Sequence, residues 1–460
     1  MEDITIIPRP RKILYVEFNY DSSYFMIGTD IGFQVHQTYP LALKFSRVLN
    51  GGIGIVKNLN KSNIFGLVGG GVSPKYAPNK LLLWDDKKGK EIYEFRFNSY
   101  VSNCFIKLKY IFVFCKDTIN ILSMKTMKTV EVIVTIDNEE GVGTISSAID
   151  KYILCWPDLA KGNIAIKDFS ELKSSSVIIN ASNQEKNSIF KNKLSFQAHE
   201  SKICFLKLNK EGDKLATASK RGNIIRIFDT IKGCIIQELK RGSGDANIYS
   251  INFAFDNNFL AITSDHGTAH IFVINKDMKK MKNTLSKSTK IIENVKENNE
   301  NIIKKNNSDK NKKSDLDFDI IDKDIEDEKE EKEEKEEINI ENNIDKEDKK
   351  NNKEDDNKND FEIINEEITD SEIVEKDNNY QNQKSILSGV SKMIGFSSVF
   401  QTEWSFASFK IPYKQQSFIS FIKEKKNDNK IVVIDKEGNY TVAEINDKKE
   451  AKIIKRDLLI

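Results

Sequence analysis

The chain has 460 residues, a net charge of +1 and 39% hydrophobic residues, a proportion that is low for a wholly globular protein and indicates a folded part joined to a solvated part. Residues 315–380 hold 29 acidic residues against ten lysines, so the rest of the chain carries +20 and suits a polyanionic partner, either a nucleic acid or an anionic membrane surface. No apolar run approaches the roughly 20 residues of a membrane-spanning helix, and no signal peptide follows Met1, so any membrane contact is expected to be peripheral.

The cysteines are odd in number, widely spaced and never arranged as a CxxC pair, and most of them lie in apolar runs. This pattern favours buried, reduced thiols in an intracellular protein, with disulfides or metal sites as the alternative. The five are Cys104, Cys115, Cys155, Cys204 and Cys234.

Short apolar strands separated by turns continue from the N-terminal region to about residue 274. No long helical period appears, so the pattern predicts an all-β sandwich, barrel or propeller. Examples in chain order are residues 13–18, 24–28, 32–36, 81–84, 111–115, 118–122 and 153–156.

An internal repeat decides among these architectures. Residues 205–219 and 251–264 each read as a strand, an acidic turn and a strand of small residues, and each is followed by a glycine turn and a strand ending in Phe. Residues 21–35 form a third copy. A period of about 45 residues with this order is typical of four-stranded, WD40-like blades, so the sequence predicts a divergent β-propeller.

The strand pattern stops between residues 276 and 384, where Asn, Lys, Asp and Glu predominate. Such a segment cannot bury enough apolar surface to offset its ordering entropy, so we expect it to be disordered. Strand patterning resumes at residues 404–411 and 430–434, which makes the acidic tract an insertion within a blade. It is either a solvated spacer or a regulatory, partner-binding tail.

Residues 385–403 carry a second pattern, in which the apolar positions fall on one face if the segment is helical. This spacing predicts an amphipathic loop that inserts into a membrane, with a loop packing on the propeller as the alternative. The apolar residues are Ile386, Leu387, Val390, Met393, Ile394, Phe396 and Phe400.

Several blocks in chain order resemble the PROPPIN/WIPI family, in the subgroup with an LRRG-type signature. They are residues 67–71 (LVGGG), 73–80 (SPKYAPNK), 83–86 (LWDD), 197–199 (QAH), 215–219 (LATAS), 225–228 (IRIF), 237–243 (QELKRGS), 246–253 (ANIYSINF), 264–272 (SDHGTAHIF) and 404–412 (WSFASFKIP). The resemblance implies a seven-bladed propeller. Residues 1–275 are expected to form blades one to five and the first part of blade six, and residues 404–460 the end of blade six and blade seven.

The resemblance also implies two phosphoinositide pockets on the rim. Neighbouring residues of a strand point in opposite directions, so Lys240 is expected to face blade five and Arg241 blade six. The first pocket is expected to combine His199, Ser219, Asn223 and Lys240, and the second Arg241, Ser264, Thr268 and His270. Lys240 stands where the family has an arginine, and Asn223 stands where the family has a residue with a hydroxyl group. Ser219 and Ser264 have an alternative interpretation as small residues in tightly packed strands. Histidines beside a phosphate are expected to gain charge between about pH 7.5 and 6.

The family implies an effector and scaffold that binds phosphatidylinositol 3-phosphate or the 3,5-bisphosphate in autophagy or endolysosomal traffic. It also implies a protein that is cytoplasmic and peripheral on phagophore, endosomal or vacuolar membranes. Its expected partners are phosphoinositide membranes and autophagy proteins, among them the bridge-like lipid-transfer protein at blades two and three, near residues 73–80. We expect a monomer without cofactor, metal, enzymatic activity or nucleic-acid partner, since no such motif is present. The alternative is a WD-repeat scaffold with reduced or lost lipid binding.

Overall fold

The computed structural model describes residues 12–170, 193–274, 383–384, 403–412, 414–423, 430–446 and 450–459. Over these residues the chain forms seven sheets, six of them with four strands and one with six, and no helix. Within each sheet, consecutive strands pair antiparallel. The seven sheets are the blades of a β-propeller, as the sequence predicted.

The first four blades follow one another directly in the chain. Blade one consists of β1 (Ile13–Phe18), β2 (Tyr24–Thr29), β3 (Gly32–Gln37) and β4 (Ala42–Val48); blade two of β5 (Ile53–Asn58), β6 (Ile64–Gly69), β7 (Lys80–Asp85) and β8 (Lys90–Arg96); blade three of β9 (Asn103–Ile106), β10 (Tyr110–Phe114), β11 (Thr118–Ser123) and β12 (Thr129–Val134); and blade four of β13 (Thr144–Ile145), β14 (Ile153–Pro157), β15 (Asn163–Asp168) and β16 (Lys193–Gln197).

Blades five and six are interleaved in the chain, and blade seven is continuous. Blade five consists of β17 (Ile203–Leu208), β18 (Lys214–Ser219), β19 (Ile224–Asp229) and β20 (Ile235–Lys240), extended by β24 (Gln383–Lys384) and β25 (Glu403–Trp404); blade six of β21 (Ile248–Phe253), β22 (Phe259–Ser264), β23 (Thr268–Val273) and β26 (Ala407–Lys410); and blade seven of β27 (Ser417–Phe421), β28 (Lys430–Asp435), β29 (Asn439–Ile445) and β30 (Ala451–Leu458).

Apolar side chains between the blades form the core. Phe33 of blade one packs on Phe65 of blade two, with ring centroids 5.4 Å apart. At the other end of the chain, Val442 of blade seven and Ile27 of blade one share a buried cluster, and Tyr440 donates its hydroxyl hydrogen to the Thr38 carbonyl at 2.6 Å. The ring of blades is therefore closed between the first and last sheets.

In blades one, two, five and six, the inner strand pairs with the second strand of its own blade in the same pattern. In each, the pairing skips one residue after the first pair, as between Ile13 and Tyr15 in β1 and between Ile203 and Phe205 in β17. The repeat in the sequence is thus also a repeat in backbone geometry, down to a bulge at the same step.

The inserted tract lies within blade six, because β23 pairs with β26 across it. Residues 275–382, predicted to be disordered, and residues 385–402, which hold all seven apolar residues predicted to enter a membrane, lie outside the described residues. Gln383–Lys384, placed in the insertion by the sequence, forms a strand. Glu403–Trp404 pairs with blade five, not blade six, because the outer strand β20 offers unpaired backbone groups to the returning chain.

All five cysteines are free thiols; Cys104, Cys115 and Cys155 are buried, as predicted, whereas Cys204 and Cys234 are only half-buried. Burial raises the pKa of Cys104 to about 12. Among the described residues no group of His, Cys, Asp and Glu side chains could hold a metal ion.

Candidate functional site

The Lys-Arg pair lies where β20 ends at the boundary of blades five and six. Lys240 is opposite Ile224 in the ladder, and the next backbone amide, that of Arg241, donates to the Asn223 carbonyl at 2.9 Å. Their side chains reach different surroundings, so the two residues belong to separate groups of side chains.

Arg241 is buried, with 4% of its surface exposed. Its Nε donates to the Gly222 carbonyl at 3.2 Å and its Nη2 to the Gly244 carbonyl at 2.8 Å. Burial lowers its pKa, and the neighbouring Asp265 raises it. The guanidinium has no ion pair with any residue that the structure describes, and three of its five N–H donors are left for a ligand.

His270 lies near Arg241 on blade six. Its Nδ1 is 3.3 Å from the Ser405 hydroxyl. Burial lowers its pKa to about 4, and the positive charges of Arg241 and Lys410 act in the same direction. Arg241 and His270, both predicted members of the second pocket, are therefore close enough for the charge of one to act on the other.

Thr268 and Ser264 complete this group, on either side of the turn between β22 and β23. Thr268 is half-buried and Ser264 buried. The Ser264 hydroxyl accepts the His266 backbone amide at 3.5 Å, a long contact. Ser264 is the last residue of β22 and Thr268 the first residue of β23.

Lys410 is a member of this group that sequence reasoning missed. Its Nζ donates to the Thr268 hydroxyl at 3.0 Å, because β26 pairs with β23 so that these two residues are opposite each other. The signal in the sequence was the resumed strand at residues 404–411, but its register against residues 268–271 is a tertiary property.

The first predicted pocket is arranged differently from expectation. His199 Nε2 is 2.8 Å from the Thr217 hydroxyl, and burial, followed by the charge of Arg226, lowers its pKa to about 4. Arg226 bonds Glu238 at 2.6 Å and the Ala198 carbonyl at 2.7 Å, as expected of a structural arginine.

Two further members of the predicted first pocket lie at either end of the turn between β18 and β19. Ser219 ends β18 and is buried, and Asn223 is half-buried immediately before β19. The cation that acts on His199 is Arg226.

Lys240 instead faces the chain returning from the insertion. Its Nζ lies 5.0 Å from the centroid of the Trp404 ring. β25 runs parallel to β20 there, with Lys240 opposite Trp404, and Gln237 Nε2 donates to Glu403 Oε2 at 2.8 Å. The ammonium is engaged in a cation–π contact that the sequence did not reveal.

The expectation that histidines gain charge between about pH 7.5 and 6 concerns the site with a phosphate bound, whereas in the unliganded protein the pKa values of both pocket histidines lie below that range. Burial lowers the pKa of both His199 and His270 to about 4, so both are neutral throughout that range. Desolvation disfavours the imidazolium, and the adjacent arginines add to the effect.

A sizeable cavity lies apart from the Lys-Arg pair. It has a volume of about 620 Å³ and lies among the inner strands, and Ser219 is the one predicted pocket residue on its wall. In the described ranges no helix is long and apolar enough to cross a membrane.

Comparison with known sequences identifies a matching family and several relatives. A family model described as PROPPIN matches residues 15–309. The SVP1-like protein 2 of Eremothecium gossypii is 32% identical over 296 residues, covering 59% of this chain and 72% of that protein. The autophagy-related protein 18e of Arabidopsis thaliana is 30% identical over 271 residues, covering 58% of this chain and 67% of that protein.

Solved structures show the same fold. The Kluyveromyces lactis Hsv2 structure aligns with a TM-score of 0.60 and 18% identity, covering 98% of this chain and 99% of that one. A complex of KlAtg21 with the coiled coil of AgAtg16 aligns with a TM-score of 0.58 and 16% identity, covering 98% of this chain and 100% of that one. At these identities the likeness establishes the architecture.

Proposed function

Because this chain belongs to the PROPPIN family, we propose that it is a peripheral membrane effector that binds the phosphorylated head group of a phosphoinositide through the Arg241 group. The lipids are phosphatidylinositol 3-phosphate or the 3,5-bisphosphate, and the setting is autophagy or endolysosomal traffic on the cytoplasmic face of phagophore, endosomal or vacuolar membranes. An autophagy-related protein of Arabidopsis among the sequence relatives supports this assignment.

The observation that carries the proposal is a buried arginine without a carboxylate. A buried charge is costly unless it is paired, yet Arg241 contacts only two neutral carbonyls among the described residues. Those carbonyls hold the guanidinium plane in place, so its remaining N–H donors are oriented before a ligand arrives. Arginine in this state suits a phosphate, which accepts two parallel hydrogen bonds.

The neighbours of Arg241 provide the other groups that a phosphate monoester needs. Lys410 brings a second cation, held at Thr268, and the Thr268 and Ser264 hydroxyls are neutral donors. His270 is neutral and can donate one ring N–H, which costs less desolvation than an imidazolium. We assign the main head-group contact to this group.

We assign a weaker contact to the first pocket, in which Lys240 would leave Trp404 and join His199, Ser219 and Asn223 when a head group binds. Lys240 is a point charge without the bidentate fork of arginine, and its ammonium already faces Trp404. Two such pockets and an inserting segment at residues 385–403 combine by avidity, since each contact raises the effective concentration of the others.

Protein partners are assigned to blades two and three. Their outer strands expose apolar side chains, Ile92 and Tyr93 on β8 and Val132 and Val134 on β12. A structural relative was solved with the coiled coil of an autophagy protein. We propose that this surface, with residues 73–80, recruits an autophagy protein such as the bridge-like lipid-transfer protein.

Vesicle flotation with and without 3-phosphorylated inositide tests the lipid assignment. Arg241→Thr is expected to lower binding by about tenfold or more, since a charge-assisted hydrogen bond contributes about 1.5–3 kcal/mol. Lys240→Thr is expected to have a smaller effect, and the double variant to abolish binding. The matched control is Arg456→Thr, an equal charge loss at an exposed position of β30.

Two outcomes contradict the assignment. One is wild-type protein that ignores the lipid, and the other is an Arg241→Thr variant that floats like the Arg456→Thr control. Either result leaves the alternative function, a WD-repeat scaffold without lipid binding.

A further inference from the structure

The central channel carries an excess of positive charge. Its volume is about 620 Å³, and the inner strands of the blades form its wall. Five lysines and two glutamates line it in the described part of the chain: Lys57, Lys107, Lys207, Lys210 and Lys220, with Glu17 and Glu140.

The shared register of the inner strands brings several polar residues to one level of this channel. Glu17 in blade one, Lys57 in blade two, Lys207 in blade five and Asn252 in blade six all follow the bulge by the same step. The ring at this level therefore contains one carboxylate and two ammonium groups.

Each oxygen of the Glu17 carboxylate has a partner. Its Oε1 accepts from Lys57 Nζ at 2.9 Å, and its Oε2 accepts from the Tyr15 hydroxyl at 2.5 Å. Lys57 also lies 4.9 Å from the Phe105 ring centroid. Lys57 is therefore the ammonium that forms the ion pair with Glu17.

The neutral residue at this level, Asn252, also has a hydrogen-bond partner. Asn252 Nδ2 donates to the Ser420 hydroxyl at 2.8 Å. An amide carries no charge, so Asn252 offers no compensation for the second ammonium.

Lys207 is the group left over. Its ammonium has no hydrogen bond or ion pair with any residue in the described ranges, and Glu17, the nearest carboxylate acting on it, is already paired. Burial lowers its pKa, Glu17 raises it, and Lys57 lowers it further. Lys207 is half-buried on the channel wall, so its ammonium is accessible from the channel and can bind an anion there.

We propose that the channel holds a small oxyanion of the phosphate class against Lys207. Lysine binds phosphate as a point charge, and the excess of lysines along the wall attracts anions into the channel. The volume is within the range of small-ligand pockets, so inorganic phosphate and a small phosphate monoester both fit. This site is separate from the Arg241 group and does not depend on the proposed lipid binding.

Thermal unfolding tests the proposal at constant ionic strength, with chloride replaced by inorganic phosphate or by glycerol 3-phosphate in separate arms. A ligand that binds the native state raises the unfolding midpoint, here by roughly 2–4 °C near saturation. A rise with inorganic phosphate alone identifies the free ion as the occupant. A rise with glycerol 3-phosphate alone, or a larger one, identifies a monoester.

Lys207→Met is expected to abolish the rise, because it removes the ammonium that binds the anion. Lys207→Gln provides a second variant that keeps a polar group in the channel. Lys232→Met, at an exposed turn of the same blade, is the control and keeps the rise. Arg241→Thr also keeps it, which separates this site from the lipid pocket.

A wild-type protein whose midpoint is the same in chloride and in both phosphate solutions overturns the proposal. So does a phosphate-specific rise that persists undiminished in either Lys207 variant.

Discussion

The ammonium of Lys240 lies 5.0 Å from the ring centroid of Trp404, a residue that the chain reaches only after the acidic insertion. The contact joins the signature strand β20 to the returning strand β25, where the two residues are opposite each other in a parallel pair. One side chain of the predicted lipid motif is thus held by the segment that closes the insertion.

Replacing Trp404 is expected to release Lys240 for a phosphate. A cation–π contact at a partly exposed position contributes about 0.5–1 kcal/mol, so Trp404→Leu should strengthen binding to phosphoinositide vesicles by roughly two- to fivefold. Trp404→Phe keeps an aromatic ring and should lie between wild type and Trp404→Leu. Weaker binding by Trp404→Leu in the same flotation assay would show that the ring positions Lys240 for the lipid instead of withholding it.

Removing Lys410 is expected to weaken vesicle binding. Lys410→Met deletes the second cation beside Thr268, and loss of one charge-assisted contact predicts a decrease of about tenfold. The salt dependence of binding should become shallower as well, because fewer charges contact the head group. Lys452→Met on the exposed strand β30 is the control. Equal binding by the two variants would remove Lys410 from the pocket.

Lys107 is expected to be a stabilising residue. Its ammonium donates to the carbonyls of Ser146, Ala148 and Lys151, and burial lowers its pKa to about 8. Lys107→Met removes three charge-assisted hydrogen bonds to backbone carbonyls and should lower the free energy of unfolding by about 2–4 kcal/mol. Lys109→Met is the matched control, since Lys109 faces the same Tyr152 ring but is exposed. Urea unfolding measures both, and similar losses would contradict the assignment.

Stability is expected to fall in mild acid. Burial lowers the pKa of His36, His199 and His270 to about 4, below the value of about 6.5 in an unfolded chain. Between about pH 6.5 and 4 the unfolded chain binds more protons, so the free energy of unfolding decreases as the pH falls through that window. Each histidine contributes at most about 1.4 kcal/mol per pH unit.

His36 allows this dependence to be isolated, because it lies far from the predicted pockets in sequence and stacks on Phe25 at 5.0 Å. His36→Phe keeps a ring there and removes one titrating group, so its stability should fall less steeply with acid than that of wild type. The measurement is urea unfolding at several pH values between 7.5 and 4. Parallel curves for the two proteins would show that His36 does not titrate in this way.

The blade pattern was predictable from sequence because its signals are local. The alternation in residues 13–18 and 24–28 and the repeated glycine turns at Gly222 and Gly267 lie within single blades, and β1 and β2 begin at the predicted residues. The basic pair at the end of β20 and the serine, threonine and histidine positions of the pockets also lie in short blocks that resemble a family.

Contacts between distant segments were not predictable in the same way. Lys410 reaches Thr268 only through the register of β26 on β23, and Trp404 reaches Lys240 only through a parallel pair across the insertion. The assignment of Lys240 to the His199 group followed from strand alternation, which fixes the direction of a side chain but not its neighbour.

The sequence by itself determined the repeat, the family and the residues of the signature, since strand period and turn chemistry are properties of neighbouring residues. Only the tertiary structure decided which positively charged side chains have no ion pair among the described residues. Arg241 at the rim and Lys207 in the channel are identified by what surrounds them after the ring closes. The physical reason is that pairing and burial of a charge depend on groups brought together from separate blades, and no local pattern encodes that set.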